Sequence, residues 1–135
     1  MIKIYRVGSA FGLLLVAGCA QTVALRAAST VPAALGEITL SKDNNGNSVI
    51  AIEVNHLAPP ENLTPRKAVY VVWVQAPQGQ TVNLGQMTVG SNRVGKFRGV
   101  TPFQQFRILV TAENVPTTPV PGKQEILMTD LLTPK

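Results

Sequence analysis

Apolar and polar positions alternate with a period of two along most of the chain after residue 36. In Ser48–His56, for example, Ile50 and Ile52 fall on one face and Glu53 on the other, as in a strand with one buried face. Turn residues separate the runs, and ten prolines with eleven glycines suit a chain that turns often. Seven runs are predicted as strands: Glu37–Lys42, Ser48–His56, Ala68–Ala76, Thr81–Val89, Lys96–Val100, Gln105–Glu113 and Gln124–Leu131.

These strands predict one all-β domain over residues 37–133, with the spacing of a seven-stranded antiparallel β-sandwich of the immunoglobulin-like type. Ala68–Ala76 is apolar on both faces and is predicted as the central strand, with Trp73 as the largest piece of the core. Asn45-Gly46 is a hairpin signal, because both residues tolerate positive φ.

The first 18 residues have the pattern of a bacterial export signal. Lys3 and Arg6 precede Val7–Val16, an apolar run too short for the roughly 20 residues of a membrane-spanning helix. Val16-Ala17-Gly18-Cys19 then resembles the lipobox of bacterial lipoproteins. That resemblance implies lipidation of the Cys19 thiol and cleavage between Gly18 and Cys19. We therefore predict a lipoprotein signal peptide over 1–18 and a partner in membrane lipid, bound through acylated Cys19.

Two other interpretations remain open. The segment is also compatible with a poor site for ordinary signal peptidase, which would release a secreted protein, or with an uncleaved anchor. Neither explains why the single cysteine of the chain follows small residues at the end of an apolar run. Ala20 follows Cys19. In bacteria with two membranes, lipoproteins of this pattern usually reach the outer membrane and face the periplasm unless Asp follows the cysteine.

Residues 19–36 are predicted to be the lipidated Cys19 and a flexible tether. The segment is rich in alanine, contains Pro32 and sustains no helical apolar stripe, although a short helix before Pro32 is an alternative. A flexible chain of this length reaches roughly 20 Å.

The domain resembles the extracytoplasmic domain of anti-sigma-K-type factors. The resemblance rests on Tyr70-Val71-Val72-Trp73-Val74, Val82-Asn83-Leu84-Gly85 and Val110–Asn114, with Pro116, Pro119 and Pro121 after them. It implies an immunoglobulin-like β-sandwich. It does not carry sigma binding with it, since the sequence shows neither a sigma-binding segment nor a membrane-spanning helix.

The charge of the chain argues against nucleic-acid binding. Loss of Lys3 and Arg6 with the signal lowers the formal net charge from +5 to +3, and no run of Lys or Arg follows. The densest basic group contains Arg93, Lys96, Arg98 and Arg107. An immunoglobulin-like topology would place Arg107 in a different sheet from Lys96 and Arg98, which favours an ordinary solvated face.

No catalytic, cofactor or metal site is predicted. His56 has no ligand or base pattern around it, Ser91 lacks a nucleophile elbow, and no helix follows the glycines at 90, 95 and 99 to make a phosphate cradle. Asp43, Asn45 and Asn47 alternate as in a calcium loop, but the glutamate that such a loop needs is replaced by Val54.

We therefore predict a non-enzymatic, lipid-anchored binding or structural module of the cell envelope. Its contact surfaces are predicted to be the two longest loops, Ala58–Lys67 and Asn114–Lys123, and its ligand an envelope protein or a glycan. A regulatory or sensory accessory related to the anti-sigma domain is the alternative, and an envelope enzyme is a third reading. No oligomeric state is indicated.

Overall fold

The computed structural model describes residues 20–135, so the predicted signal peptide over 1–18, the cleavage site after Gly18 and the lipidation site at Cys19 lie outside the described residues. The described chain is all-β and contains one short 3₁₀ helix at Pro60–Asn62. Its strands are β1 (Gln21–Ala27), β2 (Leu35–Lys42), β3 (Ser48–Asn55), β4 (Val69–Gln75), β5 (Thr81–Val89), β6 (Gly95–Thr101), β7 (Arg107–Glu113) and β8 (Glu125–Met128). Between residues 20 and 135, no helix is long and apolar enough to cross a membrane.

The eight strands form a closed antiparallel barrel in the order β1-β2-β3-β6-β5-β4-β7-β8. Two strands, β1 and β5, each pair with one neighbour along the first part of their length and with another neighbour along the rest. β1 pairs with β2 through Gln21–Leu25 and with β8 through Arg26–Ala27, whereas β5 pairs with β4 through Thr81–Met87 and with β6 through Thr88–Val89. Each of these two strands therefore bridges two neighbours along different parts of its length.

The all-β, antiparallel prediction is confirmed, and all seven predicted strands are present. The predicted count of seven is wrong, because an eighth strand, β1, is present and the described strands close into a barrel; the immunoglobulin-like sandwich is not confirmed. This strand lies in the segment 19–36 that the sequence analysis predicts as a flexible tether. The prediction fails for Gln21–Ala27 because Leu25 is buried in the barrel, Val23 packs against the core, and the backbone of β1 pairs on both sides.

The core fills the barrel interior and both of its ends. Inward-facing side chains such as Ile38, Ile52, Val72 and Ile108 are at most 3% exposed. Apolar residues of the connecting loops close the ends, and they include Val31, Ala34, Leu57, Leu63 and Phe106.

Phe97 occupies the space that two glycines leave inside the barrel. A Cβ atom added to Gly99 would lie 2.7 Å from Phe97 Cζ, and a Cβ atom added to Gly85 would lie 3.7 Å from Phe97 Cε2. An aromatic side chain thus covers glycines on its own strand and on the neighbouring strand.

The two ends of the barrel carry different loops. We call the end at which β1 begins the proximal end; it holds the turns at 43–47 and 76–80, the segment 102–106 and the last residues of the chain. The Lys135 amide donates to Gln21 Oε1 there (3.0 Å). The distal end is the opposite one, and it holds the connections 28–34, 56–68, 90–94 and 114–124. Both loops predicted as contact surfaces lie at the distal end.

Candidate binding surface

Trp73 is fully buried, but not in the barrel interior. Its neighbours Val72 and Val74 belong to the core, whereas Trp73 points to the outer face of β4, opposite Asn83 of β5. The prediction that Trp73 is the largest buried piece of the core is confirmed, although its indole lies outside the cluster that fills the barrel interior. The sequence does not predict this position, because a strand that is apolar on both faces does not reveal which face lies inward.

The loop 114–124 folds back over this outer face. Asn83 Nδ2 donates to the carbonyl oxygens of Pro116 (2.9 Å) and Thr118 (3.0 Å). A second anchor holds the far part of the loop, since the Gly122 amide donates to Glu113 Oε1 (2.6 Å). The loop thus covers the indole that the barrel leaves outside.

Hydrogen bonds connect the indole to the same carboxylate. Trp73 Nε1 donates to Thr111 Oγ1 (2.8 Å), and the Thr111 hydroxyl donates to Glu113 Oε1 (2.8 Å). Glu113 is 8% exposed, so hydrogen bonds from these donors replace those that water would give to its carboxylate. Trp73, Thr111, Glu113 and Gly122 form a single network, which we call the indole network.

A cleft opens at the distal end beside this loop. It encloses about 650 Å³ between the connections β1–β2, β3–β4 and β7–β8. Its lining offers hydroxyl groups, two ammonium groups, one carboxylate and the apolar Met128; the polar members are Ser29, Thr30, Thr64, Lys67, Lys123, Gln124 and Glu125. The cleft therefore presents mainly hydrogen-bond donors and positive charge to a ligand.

Gln124 gives this cleft an unused acceptor. Its Nε2 donates to the Pro65 carbonyl oxygen (3.4 Å), while the buried Oε1 has no hydrogen-bond partner. In the described residues the one ion pair is Arg26–Asp130, so neither Lys67 nor Lys123 forms an ion pair with Glu125 of the same cleft. One buried acceptor without a partner therefore lies beside the cleft.

A groove of about 530 Å³ lies on the side of the barrel, across the outer faces of β2, β3 and β6. Glu37, Glu53 and Lys96 stand in one row of the register, and the small Ala51 beside Arg98 lowers its floor. Charges of both signs share this exposed face, which is typical of a solvated sheet surface.

No relative of this chain is found among known proteins. No family model, no curated protein and no solved structure matches the chain. The resemblance to anti-sigma-K-type domains stays a prediction. The structure does bring residues of that resemblance together, since Trp73, Asn83, Thr111 and Glu113 are neighbours around the indole network.

The basic residues predicted to be the densest group are spread over the barrel. Lys96 and Arg98 lie on β6 beside β3, and Arg93 lies in the turn at 90–94. Arg107 lies on β7, and β5 and β4 separate it from β6. The predicted separation of Arg107 from Lys96 and Arg98 is confirmed.

The polar turn and the hairpin that the sequence predicts at 43–47 are present, with positive φ at Gly46 (78°) but not at Asn45. Asp43 Oδ1 accepts from the backbone amides of Asn45 and Asn47 (2.9 Å each), and Oδ2 accepts from the Asn47 side chain (3.2 Å). The backbone bond from Asn47 is the main cause of a pKa of Asp43 below its ordinary value. The carboxylate thus caps a turn.

The remaining candidates lie apart at the distal end. His56 is exposed, with φ of 55°, directly after β3, while Ser91 is exposed in the turn at 90–94. Within the part of the chain that the structure describes, no group of three or more His, Cys, Asp or Glu side chains is placed to hold a metal ion. The distal cleft was missed by sequence reasoning, because its lining comes from three connections far apart in the chain.

Proposed function

We propose that this protein is a non-enzymatic, lipid-anchored binding or structural module of the cell envelope, with its ligand surface at the distal end of the barrel. One observation carries the proposal. Cys19 precedes β1 by a single residue at the proximal end, whereas the longest loops and the larger cleft lie at the opposite end. Anchor and recognition surface are thus separated by the length of the barrel.

The anchor rests on Val16-Ala17-Gly18-Cys19 and on the position of the single cysteine. Two or three acyl chains on Cys19 would give stable attachment, since each buried CH₂ contributes about 0.8 kcal/mol. With Ala20 after the cysteine, the proposed location in a two-membrane bacterium is the outer membrane, facing the periplasm.

Exposed apolar side chains support a recognition role for the distal loops. Val115 and Val120 are 53% and 67% exposed on the loop that covers Trp73. The indole network holds this loop in place, so its outer side is a pre-ordered surface next to Lys123 of the cleft. An envelope protein or a glycan with acceptor groups is the ligand class that this surface fits.

We also propose that the barrel is an immunoglobulin-like sandwich closed along both edges. The order β2-β3-β6-β5 corresponds to strands A-B-E-D of that fold, and β4-β7-β8 corresponds to C-F-G. Together with the indole network, this order supports a second candidate, a regulatory or sensory accessory related to anti-sigma domains but without sigma binding.

The anchor is tested by mass spectrometry of the mature N-terminus. We expect a protein that begins at Cys19 with added lipid mass, and unlipidated precursor after Cys19→Ala. An unmodified thiol at Cys19 in membrane-fractionated protein would contradict the proposal.

The recognition surface is tested with point changes, because replacing the whole loop would uncover Trp73. We expect Val115→Ser and Val120→Ser to reduce cross-linking to an envelope partner in intact cells. Val100→Ser is the matched control, since Val100 is 50% exposed on the outer face of β6. Equal cross-linking in all three variants would exclude the loop as the contact. A regulator would instead change stress-response transcription on deletion, and the two loop variants would leave that response intact.

A further inference from the structure

We propose that the proximal end of the barrel lies directly against the phosphate headgroups of the membrane. The inference rests on the proposed lipid anchor at Cys19 and adds the orientation of the whole protein. It starts from the strand that the tether prediction missed, because β1 leaves almost no chain between the lipid and the fold.

The link from Cys19 to the barrel is too short to act as a spacer. Ala20 alone separates Cys19 from Gln21, the first residue of β1. Two residues span at most about 7 Å when fully extended. Both headgroup layers together add only about 10–15 Å to the hydrocarbon core of a bilayer, or roughly 6 Å a side. An acylated Cys19 therefore holds the start of β1 at the headgroup surface.

The proximal surface has side chains that suit phosphate headgroups. Its cations are Lys42, Arg107 and Lys135. Asp43, a carboxylate of the same end, accepts the amides of its own turn, and Lys42 Nζ donates to Gln104 Oε1. Arg107 and Lys135 are therefore the cations of this end that have no side-chain partner among the described residues. Exposed side-chain amides add further donors to this surface, and they come from Asn44, Asn45, Gln78 and Gln80. The amides of Gln104 and Gln105 already donate within the protein.

The orientation has a consequence for recognition. A strand of eight residues such as β3 is about 26 Å long, at roughly 3.3 Å a residue. The distal cleft and the loop at 114–124 would therefore face away from the anchoring membrane, toward the periplasm. A ligand in the same bilayer as the anchor would be out of reach of this surface.

Site-specific fluorescence quenching tests the orientation on the lipidated protein. Once Cys19 carries its thioether, an introduced cysteine is the single free thiol, so one exposed turn residue at a time is labelled with a fluorophore. The proximal sites are Asn45→Cys and Gln78→Cys, and the matched distal sites are Ser91→Cys and Thr117→Cys. Each protein is reconstituted into phosphatidylethanolamine–phosphatidylglycerol vesicles in which part of the lipid carries a headgroup nitroxide.

We expect loss of fluorescence at positions 45 and 78 and no loss at 91 and 117. Equal quenching at all four positions, as for a barrel lying on its side, or stronger quenching at the distal pair would overturn the inference while the anchor stands. Protein that does not float with the vesicles and has no lipid mass would instead refute the anchor, and the orientation with it.

Discussion

Glu113→Ala is the substitution that most directly tests how the protein holds its distal loop. The carboxylate accepts hydrogen bonds from the Thr111 hydroxyl and from the Gly122 amide, so it joins the outer face of β7 to the end of the loop. Truncation to alanine removes both bonds at once. We expect lower stability and a loosened loop over Trp73.

The magnitude follows from which groups lose a partner. Thr111 is fully buried, so its hydroxyl loses its acceptor without access to water, at a cost of about 1–3 kcal/mol. Gly122 is exposed, and water can replace the lost acceptor for its amide. Removal of a buried charge offsets part of the loss. We therefore expect the free energy of unfolding to fall by about 2 kcal/mol, and less for Glu113→Gln, which keeps an acceptor oxygen.

Trp73 reports both effects, because it is the only tryptophan in the chain. In urea titrations followed by its emission, a loss of about 2 kcal/mol should lower the unfolding midpoint by roughly 1 M. Acrylamide quenching without denaturant should also increase, since the loop no longer excludes solvent from the indole.

Glu37→Ala is the control, because Glu37 is an exposed glutamate on β2 and should change stability by less than about 0.5 kcal/mol. If Glu113→Ala behaves like this control in both measurements, the indole network does not hold the loop and the reasoning is refuted.

Three further predictions follow from other contacts. Asn83→Ala removes both anchors of the early part of the loop, so acrylamide quenching of the indole should rise and stability should fall by about 1–2 kcal/mol; unchanged quenching would contradict this. Gly99→Ala would place a Cβ 2.7 Å from Phe97 Cζ inside the barrel, so urea unfolding should show a loss of about 1–3 kcal/mol, and a neutral result would mean that the ring moves freely. Burial, with a contribution from Glu61, raises the pKa of Tyr70 to about 12. The tyrosinate absorbance of the mature domain should therefore titrate near that pH. The free energy of unfolding should fall as the pH rises above 10.0, the ordinary pKa of tyrosine, because Tyr70 ionises in the unfolded chain first.

The sequence predicts a strand well where one face of that strand is apolar and the other is polar. In β3, Ile50 and Ile52 alternate with outward residues, and β3 was predicted with nearly its observed bounds. β1 was missed because Val23 and Leu25 stand in an alanine-rich segment whose alternation is weak, and only its pairing with β2 and β8 makes it a strand. The burial of Trp73 is predicted from sequence, but the face on which it lies is not, since Tyr70–Val74 of β4 are apolar throughout.

The sequence by itself determined the all-β class and the polar turn at Asp43, and it alone carries the prediction of an anchor at Cys19. Each of these features depends on residues that are close together in the chain, so their types and spacing indicate it directly. The tertiary structure alone decided the closure by β1, the covered position of Trp73 and the distal cleft. These depend on contacts between distant segments, such as Asn83 with Pro116, and a pattern along one strand does not record which partner will cover it.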